Sequence, residues 1–270
     1  MTDRIGRVLV IAGSDSGGGA GIQADIKTIT ALGGYAATAV TAITVQNTLG
    51  VAGVLTLAPD LVGAQARAVL DDIGADAIKI GMLGDAAVVE TVAGILAEAS
   101  GIPAVIDPVM VAKGGAALLT SDAAAAVRDL LVPRAALLTP NAPEAAALTG
   151  LRVETTNDLR RAGEALLALG AAAVLMKGGH VAGPIVTDVL MTPAGETTFE
   201  GPRIDSLHTH GTGCTLASAC AAGLAQGLAL EQTVARAWAY TAEAIRRAPG
   251  FGAGQGPLDH GWPLRDRAPL

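Results

Sequence analysis

His208-Thr-His-Gly-Thr-Gly-Cys214 runs directly into Thr-Leu-Ala-Ser-Ala-Cys-Ala-Ala-Gly-Leu-Ala225. A polar loop thus ends in two glycines one residue apart, and an apolar, Ala-rich run starts at a cysteine. That pattern predicts a helix N-terminus facing an anion. The first turn of a helix has N–H groups with no intrahelical partner, and the helix dipole puts partial positive charge there. Glycine at 211 and 213 lets backbone amides approach a phosphate with no Cβ in the way. The same field is expected to lower the thiol pKa of Cys214 and favour thiolate. Cys214, Gly211 and Gly213 are therefore the candidate catalytic residues of a phosphoryl-transfer site. The competing reading is a Gly-rich loop that merely enters a buried helix.

Working outward, short apolar runs alternate with helical spacing. Strands are expected at 7–13, 36–45, 51–57, 77–80, 104–107, 135–138 and 173–176, with helices at 22–32, 59–72, 86–99, 121–131, 142–148 and 157–169 among them. Ser121 or Asp122 is expected to cap the fourth of these helices. Runs at 185–191 and 196–203 flank Thr192-Pro-Ala-Gly195 and read as a hairpin. Helices at 214 onward and 230–247 complete the pattern, and a Gly- and Pro-rich tail wraps the surface. Such alternation predicts an α/β fold, a mainly parallel central sheet with helices on both faces, in one domain spanning 1–270. Ligands of such sheets bind beyond the carboxyl ends of the strands. Gly13, Gln46, Met82, Asp107, Asn141 and Lys177 stand at those ends.

Composition narrows the class. The chain has 270 residues, 51% apolar but only 2% aromatic, so Ala, Val, Leu and Ile must fill the core. Net charge is −7 with no Lys/Arg cluster, which argues against a nucleic-acid partner. Cys214 and Cys220 give no disulfide framework. Residues 28–59 carry no charge, yet their threonines, Gln46, Asn47 and glycines argue against a membrane span. Near Arg4 and Arg7 the apolar run is too short for a signal peptide, so the cytoplasm is the expected compartment.

Several motifs have a plain and a chemical reading. Gly19-Ala-Gly-Ile-Gln-Ala24 fits a dinucleotide fingerprint, but no Asp or Glu lies between Asp25 and Asp60 to hold a ribose. It reads instead as a substrate loop in which Asp25 hydrogen-bonds a polar ligand. Gln46 is a turn former, or a donor–acceptor pair matching the edge of an aminopyrimidine. Asp107-Pro108 and Asn141-Ala-Pro-Glu144 are a turn and a helix cap, or carboxylates that hold Mg²⁺. Lys177 is a surface cation or a phosphate ligand. His208 and His210 share one side of an extended segment; loop hydrogen bonding suits them better than zinc.

Together these stretches resemble the ribokinase superfamily, and within it the hydroxymethylpyrimidine/phosphomethylpyrimidine kinases. The resembling residues are 12–25, Gln46-Asn-Thr48, Lys79-Ile-Gly-Met-Leu83, Asp107-Pro-Val-Met-Val-Ala112, Asn141-x-x-Glu144, Lys177-Gly-Gly-His180 and His210-Gly-Thr-Gly-Cys214. Many relatives in the superfamily carry aspartate where Cys214 stands, so cysteine favours the pyrimidine branch. The resemblance implies a ribokinase-like three-layer sandwich. It also implies ATP- and Mg²⁺-dependent phosphorylation of 4-amino-5-hydroxymethyl-2-methylpyrimidine, then of its monophosphate. By similarity Gly13, Asp25, Gln46, Met82 and Val109 would surround the pyrimidine. Asn141, Lys177 and Thr212 would serve ATP, Glu144 and Asp107 the metal, and the chain would form a homodimer. The string Gly252-Ala-Gly-Gln-Gly-Pro257 departs from the family pattern. Pyridoxal or pyridoxine kinase, and a non-catalytic pyrimidine-binding protein, are the rival readings.

Overall fold

The structure is a computed structural model that describes residues 5–110 and 121–266. Val111 and Ala112 of the Asp107–Ala112 motif, Arg4, and the capping side chain of Ser121 lie outside the described residues. Among the described residues nine strands form one sheet in the order β3-β2-β1-β4-β5-β6-β7-β8-β9. They are β1 (Arg7–Asp15), β2 (Tyr35–Asn47), β3 (Gly50–Thr56), β4 (Ala77–Ile80), β5 (Ala104–Ile106), β6 (Leu137–Leu138), β7 (Val174–Met176), β8 (Ile185–Thr192) and β9 (Gly195–Pro202). The strands from β2 through β7 pair in parallel. β3 on β2, and β8 and β9 beyond β7, pair antiparallel.

β1 shows why the centre is doubly covered. Val8, Val10 and Ala12 join the core on one face, while Leu9 and Ile11 join the core on the other. Period-2 alternation with every residue apolar is what a strand buried on both sides requires. Val8, Leu9, Val10 and Ile11 each contribute about 1.5–3 kcal/mol by leaving water. One face carries α2 (Pro59–Asp72), α3 (Ala86–Glu98), α5 (Ala142–Thr149) and α6 (Thr156–Ala168). The other carries α1 (Gly21–Ala31), α7 (Thr212–Ala225) and α8 (Leu230–Arg246). α7 lies close because Ala217, Ala219, Ala221 and Ala222 are small and fully buried. The helix expected at 121–131 is α4 (Ser121–Ala126), followed by a wider π-type turn over Val127–Leu131 and a tighter 3₁₀ turn over Val132–Arg134. A last short helix, α9, covers Trp262–Arg265. No helix among the described residues is long and apolar enough to cross a membrane.

Strand order reverses between β1 and β4: the chain runs outward from β1 to β2 and β3, then returns to β4. The carboxyl ends flanking such a switch point splay apart and leave a crevice. Here they deliver Gly13, Gln46, Met82 and Asp107 to one edge.

Candidate active site

A cavity of about 1140 Å³ opens along that edge, walled on one side by the start of α7 and on the other by the loops after β5, β6 and β7. Gly13, Gln46, Met82 and Val109 wall the end nearest β1 and β2. A Cβ on Gly13 would collide with the Met82 methyl, so the glycine makes room for that side chain.

The loop between β1 and α1 is folded around Asp15. One carboxylate oxygen accepts from the Gly17 amide at 2.8 Å, the other from the amides of Gly19 at 3.1 Å and Ala20 at 2.8 Å. The latter oxygen also meets His210 Nε2 at 2.9 Å, and His210 in turn lies 3.2 Å from Gln46 Nε2. Burial works to raise the Asp15 carboxyl, but His210 and the loop amides outweigh it and hold it below its ordinary value. Asp15 therefore ties the N-terminal loop to the loop before α7. Gly211, at φ 85°, lies so close to the Gly19 carbonyl that no side chain fits between them. The divergent string near the C-terminus braces this corner from outside. Gln255 N donates to Thr48 O at 2.9 Å, and His210 N donates to Gly256 O at 3.2 Å. None of the residues from 251 to 257 lines the cavity.

At the other end the charges meet each other. Lys177 Nζ is 2.8 Å from Asp107 Oδ1 and 3.8 Å from Glu144 Oε2. Thr139 Oγ1 also donates to Asp107 at 3.2 Å. Burial works against the Lys177 charge, yet Asp107 and Glu144 hold its pKa above the ordinary lysine value. Asn141 and Glu144 cap α5 reciprocally. The Glu144 amide donates to Asn141 Oδ1 at 3.0 Å, and the Asn141 amide donates to Glu144 Oε2 at 2.8 Å. Burial raises the Glu144 carboxyl to about 7, with Asp107 adding to the rise and Lys177 and Asn141 opposing it. The plain reading of Glu144 as a cap is thus its geometry here, and both side chains still border the cavity.

α7 joins the two ends. Intrahelical bonding begins with Thr215 N donating to Gly211 O at 2.9 Å, so the amides of Gly213 and Cys214 precede it. A Cβ on Gly213 would stand 3.2 Å from both Lys177 Nζ and Asp107 Oδ2. Glycine there keeps the backbone open to whatever those two groups hold. Thr212 Oγ1 donates to Thr209 O at 2.8 Å and fixes the turn.

Two expectations need correction. The helix N-terminus was expected to lower the Cys214 thiol, but burial pushes it up to about 11. Lys79 and the Gly21 amide pull it down, Asp25 and Asp107 push it further up, and desolvation exceeds them all. Asp25 was expected on the ligand. It is fully buried and does not line the cavity; Ser218 Oγ donates to one oxygen at 2.6 Å and Lys79 Nζ to the other at 2.9 Å. Lys79, given no role from sequence, is the member of that pair in the cavity wall.

For Mg²⁺ the donor chemistry is suitable but sparse. Asp107 and Glu144 are hard oxygen donors, while no cluster of three His, Cys, Asp or Glu suited to a metal exists among the described residues. That matches a cation that keeps its waters and is shared with phosphates rather than caged by protein.

A profile of the phosphomethylpyrimidine kinase family matches residues 15–259. The chain is 52% identical over 257 residues to the hydroxymethylpyrimidine/phosphomethylpyrimidine kinase of Streptomyces coelicolor, covering 95% of each. It is 44% identical over 255 residues to the Bacillus subtilis protein of that name, covering 94% of each. The crystal structure of phosphomethylpyrimidine kinase from Clostridium difficile 630 superposes with a TM-score of 0.80 at 39% identity, over 90% of this chain and 100% of that one. The ADP complex of Bacillus subtilis pyridoxal kinase superposes at 0.89 with 34% identity, over 98% and 100%. The fold is thus ribokinase-like, and the chain belongs to the phosphomethylpyrimidine kinase family.

Proposed function

We propose that this chain, as one catalytic domain, transfers the γ-phosphoryl group of ATP to the hydroxymethyl oxygen of 4-amino-5-hydroxymethyl-2-methylpyrimidine. It then transfers a second to the resulting monophosphate, forming the diphosphate used in thiamin diphosphate synthesis. The observation that carries this reading is the head of α7. Its glycine-lined amides stand between a small apolar corner at Gly13, Met82 and Val109 and a half-buried cation at Lys177. Family membership agrees with it.

In this reading Gln46 presents its amide to the pyrimidine edge, and Met82 and Val109 cover the ring. Asn141, Lys177 and Thr212 take the nucleotide phosphates, and the amides of Gly213 and Cys214 receive charge growing on the migrating group. One preorganised donor of that kind is worth about 3 kcal/mol in the transition state. Asp107 and Glu144 would hold Mg²⁺, which when bound with the nucleotide neutralises phosphate charge. Cys214 is the candidate base for the alcohol. A neutral thiol cannot take a proton, so this role requires Cys214 to lose its own first. Lys79, Lys177 and the Gly21 amide favour that loss. The monophosphate, already anionic, needs no base. Exposed Ile43, Val45 and Leu55, side by side on β2 and β3, support a homodimer.

The test is ADP release from ATP with three acceptors: the pyrimidine alcohol, its monophosphate, and pyridoxal. Turnover of both pyrimidines is expected. Turnover of pyridoxal alone would make the chain a vitamin B6 kinase, and no ADP with any acceptor would favour a binding protein.

A further inference from the structure

The alternation of β4 (Ala77–Ile80) puts Lys79 on the face where Ala77, and Val8 and Val10 of the neighbouring β1, are apolar core. A fully buried ammonium in that position is a costly choice unless its charge has a use. Gly81 clears space for it, since a Cβ there would stand 2.8 Å from Lys79 Nζ. Asp25 of α1 anchors it at 2.9 Å and is itself held by Ser218 of α7 at 2.6 Å. Ser218 is one helical turn beyond Cys214, on the same face of α7. The pair has a direction: Lys79 belongs to the cavity wall, as Cys214 does, whereas Asp25 lies behind it. The ionisable groups whose fields reach Cys214 are Lys79 of β4, Asp25 of α1, Asp107 after β5 and Lys177 after β7. Lys177 already faces Asp107 and Glu144, and so belongs to the phosphate end.

We propose that Lys79 is a specificity-determining charge, the positive end of an oriented buried ion pair, which makes the acceptor pocket beside Cys214 favour an acceptor that is already anionic. Resting on the function proposed above, the preferred acceptor is the phosphate monoester over the alcohol. Lys79 touches neither; it acts through the field it sets at the pocket, with Asp25 fixing its place. A single cavity that serves both transfers then keeps the intermediate rather than releasing it.

The experiment compares the wild-type chain with Lys79→Met/Asp25→Asn, which removes the pair at constant net charge. Cys214 is alkylated with iodoacetate and with iodoacetamide, using Cys214→Ala as the blank for buried Cys220. The thiolate fraction enters both rates and cancels, so their ratio reads the local potential. The iodoacetate-to-iodoacetamide ratio is expected to fall about fivefold in the double variant. Lys79→Met should give a similar fall, because Asp25, fully buried and without its cation, takes up a proton. Gly81→Ala, which displaces the ammonium and keeps every ionisable group, is expected to lower the ratio less and covers the case that the other variants do not fold. In turnover, KM for the monophosphate should rise relative to KM for the alcohol by a factor similar to the change in ratio. An unchanged alkylation ratio in the folded variants, or equal KM shifts for both acceptors, overturns the proposal. If the wild-type chain turns over neither pyrimidine, the function above fails, while the alkylation ratio still decides the charge.

Discussion

The two ends of the cavity are built on different principles. Near β1 and β2 the polar groups hold one another: Asp15 accepts from its own loop amides and from His210 Nε2, beside which the Gln46 side chain lies. That corner is glycine-tight, with Gly211 leaving no room for a side chain against the Gly19 carbonyl. Near β6 and β7, by contrast, Lys177 is held by Asp107 and Glu144, contacts that the proposed phosphate binding would have to rearrange. Under the proposed function, one end would gain specificity from shape and the other responsiveness from its paired charges.

The largest effect is expected at the charged end. Lys177→Met leaves Asp107 and Glu144 facing each other without their cation, and kcat/KM with ATP should fall about 10³-fold. A loss below tenfold in the ADP-release assay would mean that phosphates do not pass this group. The next is a contrast between glycines. Gly211→Ala must hold φ 85° with its Cβ against the Gly19 carbonyl, whereas nothing stands within 4 Å of a Cβ on Gly179 at the other end. The first should cost about 3 kcal/mol and lower Tm by several degrees, and Gly179→Ala should leave it nearly unchanged. Equal melting points would show that the acceptor corner is not the tighter one.

How far these contrasts were readable from sequence differs by kind. The parallel strands and the pocket edge followed from apolar runs such as Val8–Ala12 and from the polar residues that end them, because the fold class alone fixes where such ends meet. The hairpin of β8 and β9 followed from local turn chemistry. Asp15 and His210 are 195 residues apart, and no local rule pairs them. Lys79 looks like an ordinary strand residue until α1 and α7 are packed over it. For Cys214 the local signal, a helix N-terminus, pointed the wrong way. Desolvation is a property of the whole packed site, and it reversed the expected direction of the thiol shift.

Cys214→Ala sharpens the comparison within α7. The alcohol reaction should lose about 10²-fold and the monophosphate reaction less than tenfold, since only the first must shed a proton. With the thiol near 11, the alcohol rate of the wild-type chain should climb with pH above neutrality, and the variant should not show the rise. Losses equal in both steps would remove the base role.

The smallest effects are in stability, and they have opposite signs in two regions. His260 Nε2 shares a hydrogen bond with Thr215 Oγ1 at 3.0 Å in the first turn of α7, and burial lowers its pKa to about 4. Its folded value lies below the unfolded one of about 6.5, so this stability is present above pH 6.5 and lost on acidification towards pH 4. The loss is about 1.4 kcal/mol at pH 5.5 and should be absent in His260→Asn. Glu144 is raised to about 7, so the folded state binds the extra proton and stability falls as pH rises from about 4.5 to 7. Glu144→Gln should remove that slope. Denaturant melts at several pH values read both, and slopes of the same sign would refute the assignment.

The central claim is tested most directly by crystals of the chain grown with ADP, Mg²⁺, aluminium fluoride and the pyrimidine alcohol. The account predicts the planar fluoride group between Lys177 and the amides of Gly213 and Cys214, with the hydroxymethyl oxygen beside the cysteine sulfur. A fluoride group held elsewhere in the cavity, with the head of α7 making no contact to it, would contradict the account.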